Sequence, residues 1–406
     1  MPLTRRQVYR RRRIVVFGGL LAVLAGITYL PLTLFAPVPT TDAVVTTPVI
    51  ATPDAAVTEM PGYGASAIAA VGREGLLAQA GTADPLPMAS ITKIITALTV
   101  LDAHPLGPDE AGPAVEMTSR DLGFYYDEIN RGGSVAPVRT GVTFTERELL
   151  EIMLIPSGNN YATTLAVWGF GSVEAYLDAA RAWLDANGLS GIRVADASGY
   201  DYGNVGSAAD LVRLGELALA HPVVAEIVAT PRLQMHDIGT LRNSNALLGT
   251  NGVDGIKTGT LINANLLFSA TIEVGSRSVD LVGVVLDGPD HDTIDRAITR
   301  MIDQARAGFH EVPLVSAGEV LASYRTPWDT EVRAVAAEDA SILVWGDTAI
   351  TAAVIADDIT LADEGADVGS VVFTAGDETV AVPIVLDGDV EDPGPWWRLG
   401  HPFGMD

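Results

Sequence analysis

The strongest apolar pattern in the chain is an unbroken run from Ile14 to Leu30, carried past Pro31 to Phe35. Roughly 20 residues at about 1.5 Å rise span the hydrocarbon core of a bilayer, and this run is long enough. Residues 14–36 are therefore expected to form a transmembrane helix, with residues 1–13 as its flank. A cleaved signal peptide is the competing expectation, with an apolar core of roughly 7–15 residues and a small-residue cleavage site. Bulky Leu34 and Phe35 precede Ala36 and Pro37 comes after it, which favours an uncleaved anchor. Residues 37–60 are rich in Pro, Thr, Ala and Val without a helical period, and are expected to be an extended linker.

Residues 61–309 alternate between two periods. Ala65–Val71 and Gly75–Gln79 suit a hairpin through residues 72–74, and Ile91, Ile94, Ile95 and Leu98 recur at helical spacing within Ser90–His104. Thr145 and Glu148 make a capping box ahead of Leu149, Leu150 and Met153. Ser172 caps a helix that Gly188 stops, and Ser207 with Asp210 opens another. Leu266–Val274 and Val279–Leu286 read as strands paired around Gly275, with an amphipathic helix after them over Thr293–Ala307. Strands at both ends with helices between them predict an α+β domain rather than a doubly wound sheet. From 310 to 406 the apolar runs are short and β-rich, at Ser341–Trp345, Ala349–Ile355, Ser370–Phe373 and Thr379–Val385. They predict a small β domain, serving as a spacer or as a module for a protein partner.

Charge sharpens the topology. The 406 residues hold 25 Lys+Arg against 51 Asp+Glu, a net charge of −26. Arg5, Arg6, Arg10, Arg11, Arg12 and Arg13 precede every acidic residue, so the rest of the chain carries 19 bases against 51 acids. A basic flank on one side of an apolar span places the N-terminus in the cytoplasm and the remainder outside. The expected location is thus a single-pass membrane protein with an extracytoplasmic body, or a secreted one if the segment is cleaved. The acidic body argues against nucleic acid as a partner. Mean hydropathy of +0.28 argues against disorder. With no cysteine there is no thiol nucleophile, disulfide or zinc-thiolate site. His104, His221, His236, His291, His310 and His401 show no metal-ligand spacing, so no metal or cofactor is expected. His291, between Asp290 and Asp292, reads as part of a helix start.

Of the 25 bases only two are lysines, Lys93 and Lys257. Arginine is never deprotonated in proteins, whereas a buried lysine shifts its pKa and can act as a base. Lys93 closes Ser90-Ile91-Thr92-Lys93, and positions i and i+3 of a helix share a face. Ser90 at that helix start would also meet free N–H groups that favour developing negative charge. An adjacent base and an oxyanion hole are what activate a hydroxyl nucleophile. Two further motifs come in order, Ser157-Gly158-Asn159 and Lys257-Thr258-Gly259. Singly, the three also read as a helix cap, a polar turn and an edge-strand lysine. No G-x-S-x-G elbow accompanies any serine.

Together S-x-x-K, S-x-N and K-T-G carry a resemblance. The segments MASITKIITAL, ELLEIMLIPSGNNYA, DASGYDYGNVGSAADLVRL and NSNALLGTNGVDGIKTG resemble the low-molecular-mass penicillin-binding proteins that are serine-type D-alanyl-D-alanine carboxypeptidases, over roughly residues 60–310. The resemblance implies a β-lactamase/penicillin-binding-protein-like domain followed by a small β domain. It implies that Ser90 attacks a D-Ala-D-Ala stem peptide of peptidoglycan, with neutral Lys93 taking its proton. Ser157 would relay a proton to the leaving amine, held by Lys257, and Asn159 would orient Lys93. The N–H groups of Ser90 and Thr260 would form the oxyanion hole, beside Gly259, and Thr258 would help bind the terminal carboxylate. β-Lactams would acylate Ser90 as covalent inhibitors.

Two positions depart from the family pattern. Thr260-Leu261-Ile262 comes after K-T-G where an aromatic or His and then Thr is common, and Ser244 stands where some relatives place an Arg. Arg242 is the nearby substitute for binding the carboxylate. The alternatives are the same acyl-serine chemistry as a transpeptidase, endopeptidase or β-lactamase, or a non-catalytic wall-binding scaffold. No convincing Glu-containing loop comes after S-x-N, which weakens the β-lactamase reading.

Overall fold

The computed structural model describes residues 4–402. The chain divides into two compact units, Ala56–His310 and a second in which the N-terminal residues through Ala55 join those from Glu311 onward.

Ala56–His310 is built on a five-stranded antiparallel sheet ordered Val253–Thr260, Ala264–Val274, Arg277–Gly288, Ala65–Ala70, Ala78–Gly81. The strands Ala264–Val274 and Arg277–Gly288 turn at Gly275, as their spacing predicts, with Val274 opposite Arg277. Residues of both parities along Ala264–Val274 are buried, because helices cover both faces. Ala208–Ala220 packs so closely that a Cβ on Gly215 would lie 2.5 Å from Val282 Cγ1. The K-T-G strand is the sheet edge, paired only with Ala264–Val274 through Lys257–Leu267 and Gly259–Asn265.

Local sequence explains most helix starts. Thr145 Oγ1 accepts from Glu148 N while Glu148 Oε2 accepts from Thr145 N, so Glu146–Leu154 begins with a closed capping box. Ser172, Ser207 and Asp290 side chains cap Val173–Ala186, Ala208–Ala220 and His291–Gly308 by accepting a backbone N–H. The helix expected from Ser90 begins at Thr92, after a 3₁₀ turn over Ala89–Ile91. The Ser119–Arg131 helix is an addition to the elements expected above, although Thr118 and Asp121 close a capping box before it and Leu122, Tyr125, Tyr126 and Ile129 recur at helical spacing.

In the other unit the Arg5–Leu34 helix is exposed, and it is long and apolar enough to cross a membrane, a property that signal sequences share. A six-stranded sheet runs Val44–Val45, Val320–Arg325, Glu331–Ala336, Glu378–Leu386, Asp367–Ala375, Ile350–Ala356, over a core that includes Tyr324, Ile342, Phe373 and Ile384. The linker expectation for 37–60 needs correction over its first part. Val44 and Val45 pair with Ser323 and Ala322, and Thr41 bridges Ile359. Two residues have no readable period, and what recruits them is the open edge of a strand distant in sequence.

Candidate active site

Ser90 sits in the 3₁₀ turn and Lys93 one turn on, with Lys93 wholly buried. Ala89 before it is left-handed, with φ 49°, a conformation that costs a non-glycine residue on the order of 1–3 kcal/mol. Lys93 Nζ has three partners: Ser90 Oγ at 2.9 Å, Asn159 Oδ1 at 2.6 Å and the Ser198 carbonyl at 2.7 Å. Asn159 is the first residue of its helix and its N–H donates to Ser134 O. Ser157, two residues earlier, is also left-handed at φ 65° and 7% exposed. Lys257 is buried on the edge strand, its Nζ 3.2 Å from Thr258 O. The strain at Ala89 and Ser157 falls on the two serine motifs, where the surrounding packing imposes it.

Burial lowers the Lys93 amine to about 7, although the Asp196 and Glu128 carboxylates pull it upward. Burial also holds Lys257 well below the usual lysine range, and the nearby Lys93 charge adds to this. Near neutrality Lys93 is thus substantially a free amine. Its inventory then matters: an amine has two N–H bonds and one lone pair. With the hydrogens given to Asn159 and Ser198, the lone pair faces the Ser90 hydroxyl, which donates to it.

Close approach completes the cleft. A Cβ on Gly259 would lie 2.8 Å from Met88 O and 3.3 Å from Ser90 N, so only glycine lets the K-T-G strand run this near the serine. Gly199, at φ +85°, presses still more tightly on Ala89 O from another loop. The resulting cleft of about 230 Å³ is lined by Ser90, Ser134, Asn159, Tyr200, Thr260 and Leu261 among others.

Residues 67–290 match the family model described as D-alanyl-D-alanine carboxypeptidase, peptidase S11, which covers more than half the chain and every motif above. The chain belongs to that family. It is 31% identical over 210 residues to a D-alanyl-D-alanine endopeptidase of Pseudomonas aeruginosa, covering 50% of this chain and 64% of the relative. It is 30% identical over 218 residues to the D-alanyl-D-alanine carboxypeptidase DacC of Escherichia coli, covering 52% and 53%. The matched stretch thus spans less than two thirds of these relatives' own length. Similar folds are penicillin binding protein 5 from Haemophilus influenzae (TM-score 0.57, 20% identity, 86% of this chain and 100% of that one) and PBP3 from Streptococcus pneumoniae (0.59, 22%, 84% and 100%).

Within this carboxypeptidase-family site the structure brings together Ser90, Lys93 and Asn159 through hydrogen bonds, and Gly259 and Thr260 through packing and the cleft wall. Among the described residues no hydrogen bond joins Ser157 to either lysine. Arg242 lies exposed on the Arg232–Met235/Gly239–Arg242 hairpin, opposite Arg232, and among the described residues no hydrogen bond joins it to Ser244 or Thr258. Ser244 reaches the K-T-G strand, its hydroxyl 2.5 Å from Thr258 Oγ1. Three residues of the site escape sequence reasoning. Glu128 Oε2 accepts from Asn159 Nδ2 at 2.9 Å. Asp196 holds the Ser198–Asp201 loop by accepting from the N–H groups of Ser198, Gly199 and Asp201. His291 Nε2 lies 2.7 Å from Thr260 Oγ1. The first two are unmarked among 51 acids, although the D-x-S-G run at Asp196 is a usable Asx-turn signal.

Proposed function

We propose that the protein is a membrane-anchored, extracytoplasmic serine DD-peptidase that hydrolyses the terminal D-Ala-D-Ala bond of peptidoglycan stem peptides and so trims the cell wall. The single observation that supports it most is the buried Lys93 amine, whose Nζ lies 2.9 Å from Ser90 Oγ while Asn159 Oδ1 and the Ser198 carbonyl hold it from the other sides. Ser90 Oγ attacks the penultimate D-Ala carbonyl carbon and its proton passes to Lys93. The N–H groups of Ser90 and Thr260 receive the oxyanion. The C–N bond breaks as the leaving D-Ala amine takes a proton through Ser157, with Lys257 alongside. Water then attacks the ester, releasing the shortened peptide and restoring Ser90. A β-lactam would open at the same step and leave Ser90 acylated. The arginine cluster at the start of the Arg5–Leu34 helix supports a cytoplasmic N-terminus, and the β unit serves as spacer or partner module.

One observation favours a second reading, an endopeptidase acting on internal D-alanyl cross-links. Ser244 and Thr258 present hydroxyls where a guanidinium would pair with a terminal carboxylate. Incubating the protein in parallel with a D-Ala-D-Ala peptide and a cross-linked muropeptide separates the two. D-alanine release, lost in Ser90→Ala together with labelling by fluorescent penicillin, is the expected result. Cleavage of the cross-link alone would move the assignment to the endopeptidase. Labelling retained by Ser90→Ala would sink both.

A further inference from the structure

A side-chain amide has a donor end and an acceptor end, and which end faces Lys93 decides where the lysine's lone pair points. Nothing about Asn159 itself fixes that choice. Its Nδ2 end, however, meets Glu128 Oε2 at 2.9 Å, and Glu128 is 1% exposed, at the last turn of Ser119–Arg131. The other carboxylate oxygen is bonded to Arg131, whose side chain lies against the Tyr200 ring at 4.7 Å. An ionised carboxylate only accepts, so it turns Nδ2 toward itself and Oδ1 toward Lys93. The fit leaves no slack: a Cβ on Gly133 would lie 2.1 Å from Glu128 Oε2 and 2.8 Å from Asn159 Nδ2.

We propose that Glu128, charge-paired with Arg131, is a positioning residue for acylation: it locks the Asn159 amide so that Lys93 spends its hydrogens on Asn159 and Ser198 and keeps its lone pair for Ser90. The inference rests on the acyl-serine reading above but acts one residue behind the reacting atoms. Glu128 also supplies negative charge near Lys93, as Asp196 does. The titratable or charged groups of the surrounding elements also include Arg131, Tyr200, Tyr176, which bonds Thr96, Tyr161, Lys257 and Asp121, which bonds Thr164.

The two-lysine composition makes a direct test possible. Full-length protein labelled with ¹³Cε-lysine gives two lysine resonances, and Lys93→Arg assigns them. Lys93 of the unaltered chain should titrate near about 7. In Glu128→Gln its midpoint should move to lower pH, and fluorescent-penicillin acylation should slow by about 10²-fold at every pH, the scale of a 1 Å misplacement. In Arg131→Met, whose native side chain is 45% exposed, the midpoint should move to higher pH, and the slowing should be recovered as pH rises. A folded Glu128→Gln with an unmoved midpoint or unchanged acylation overturns the proposal. If Glu128→Gln fails to fold, the Arg131→Met midpoint decides alone, and an unmoved one overturns it. Midpoint shifts in a protein that never forms the penicillin adduct support the positioning link and reject the acyl-serine reading.

Discussion

Lys93 has a hydrogen-bond partner in each direction its amine can use and no solvent contact, so its charge is decided by the site. As a base it must be neutral. Acylation should therefore rise with pH through about 7 and level off above it, which a labelling rate measured from pH 5 to 9 would check. Stability carries the same signature. The folded pKa is depressed, so between about 7 and the ordinary 10.5 the unfolded chain holds a proton that the folded chain lacks. Stability should climb with pH relative to Lys93→Met, by up to about 1.4 kcal/mol per unit, in denaturation at pH 7 and pH 9. A flat difference would place the ammonium, not the amine, in the fold. The importance of Lys93 is readable from sequence because lysine is scarce here. That of Glu128 is not, because what sets it apart among 51 acids is its burial, shared only by Glu146 among the described residues, together with its bond to Asn159, and composition shows neither.

The K-T-G edge strand shows what an element contributes that its residues do not. Its hydrogen bonds to Ala264–Val274 hold the strand in register, and Gly259 lets it pass Met88 O and Ser90 N without a side chain between them. Gly259→Ala should push the strand outward and cut acylation by about 10²-fold while the melting temperature changes little, because the strand keeps its sheet partner. Equal loss of stability and activity would mean that Gly259 serves folding only. Most of this unit's elements can be read beforehand: capping boxes and Gly275 are local signals, and the structure uses them as expected. The Ser119–Arg131 helix carries such signals too, a Thr118–Asp121 capping box and Leu122, Tyr125, Tyr126 and Ile129 at helical spacing. What that pattern does not show is the burial of Glu128 among residues that are otherwise half-buried or exposed.

At the scale of the molecule, chain order and compact units disagree, since residues before Ala55 complete the sheet formed after Glu311. A chain beginning at Ala56 should lose the Val44–Val45 strand and expose the edge of Val320–Arg325, lowering the melting temperature of that unit by several degrees relative to one beginning at Pro37. Coincident melting curves would make the pairing incidental. By itself, the sequence determined the apolar N-terminal helix, the α+β alternation, the β-rich end, and the serine-lysine, serine-asparagine and lysine-threonine-glycine motifs. Each is a matter of spacing within a few residues, where local sterics and capping decide. Only the tertiary structure decided that Lys93 meets Ser198, that Glu128 stands behind Asn159, that Ser244 reaches Thr258, and that Val44–Val45 of the expected linker pair with a strand distant in sequence. Those contacts join residues tens to hundreds of positions apart, and they exist because burial leaves each polar group no partner but the one that folding brings to it.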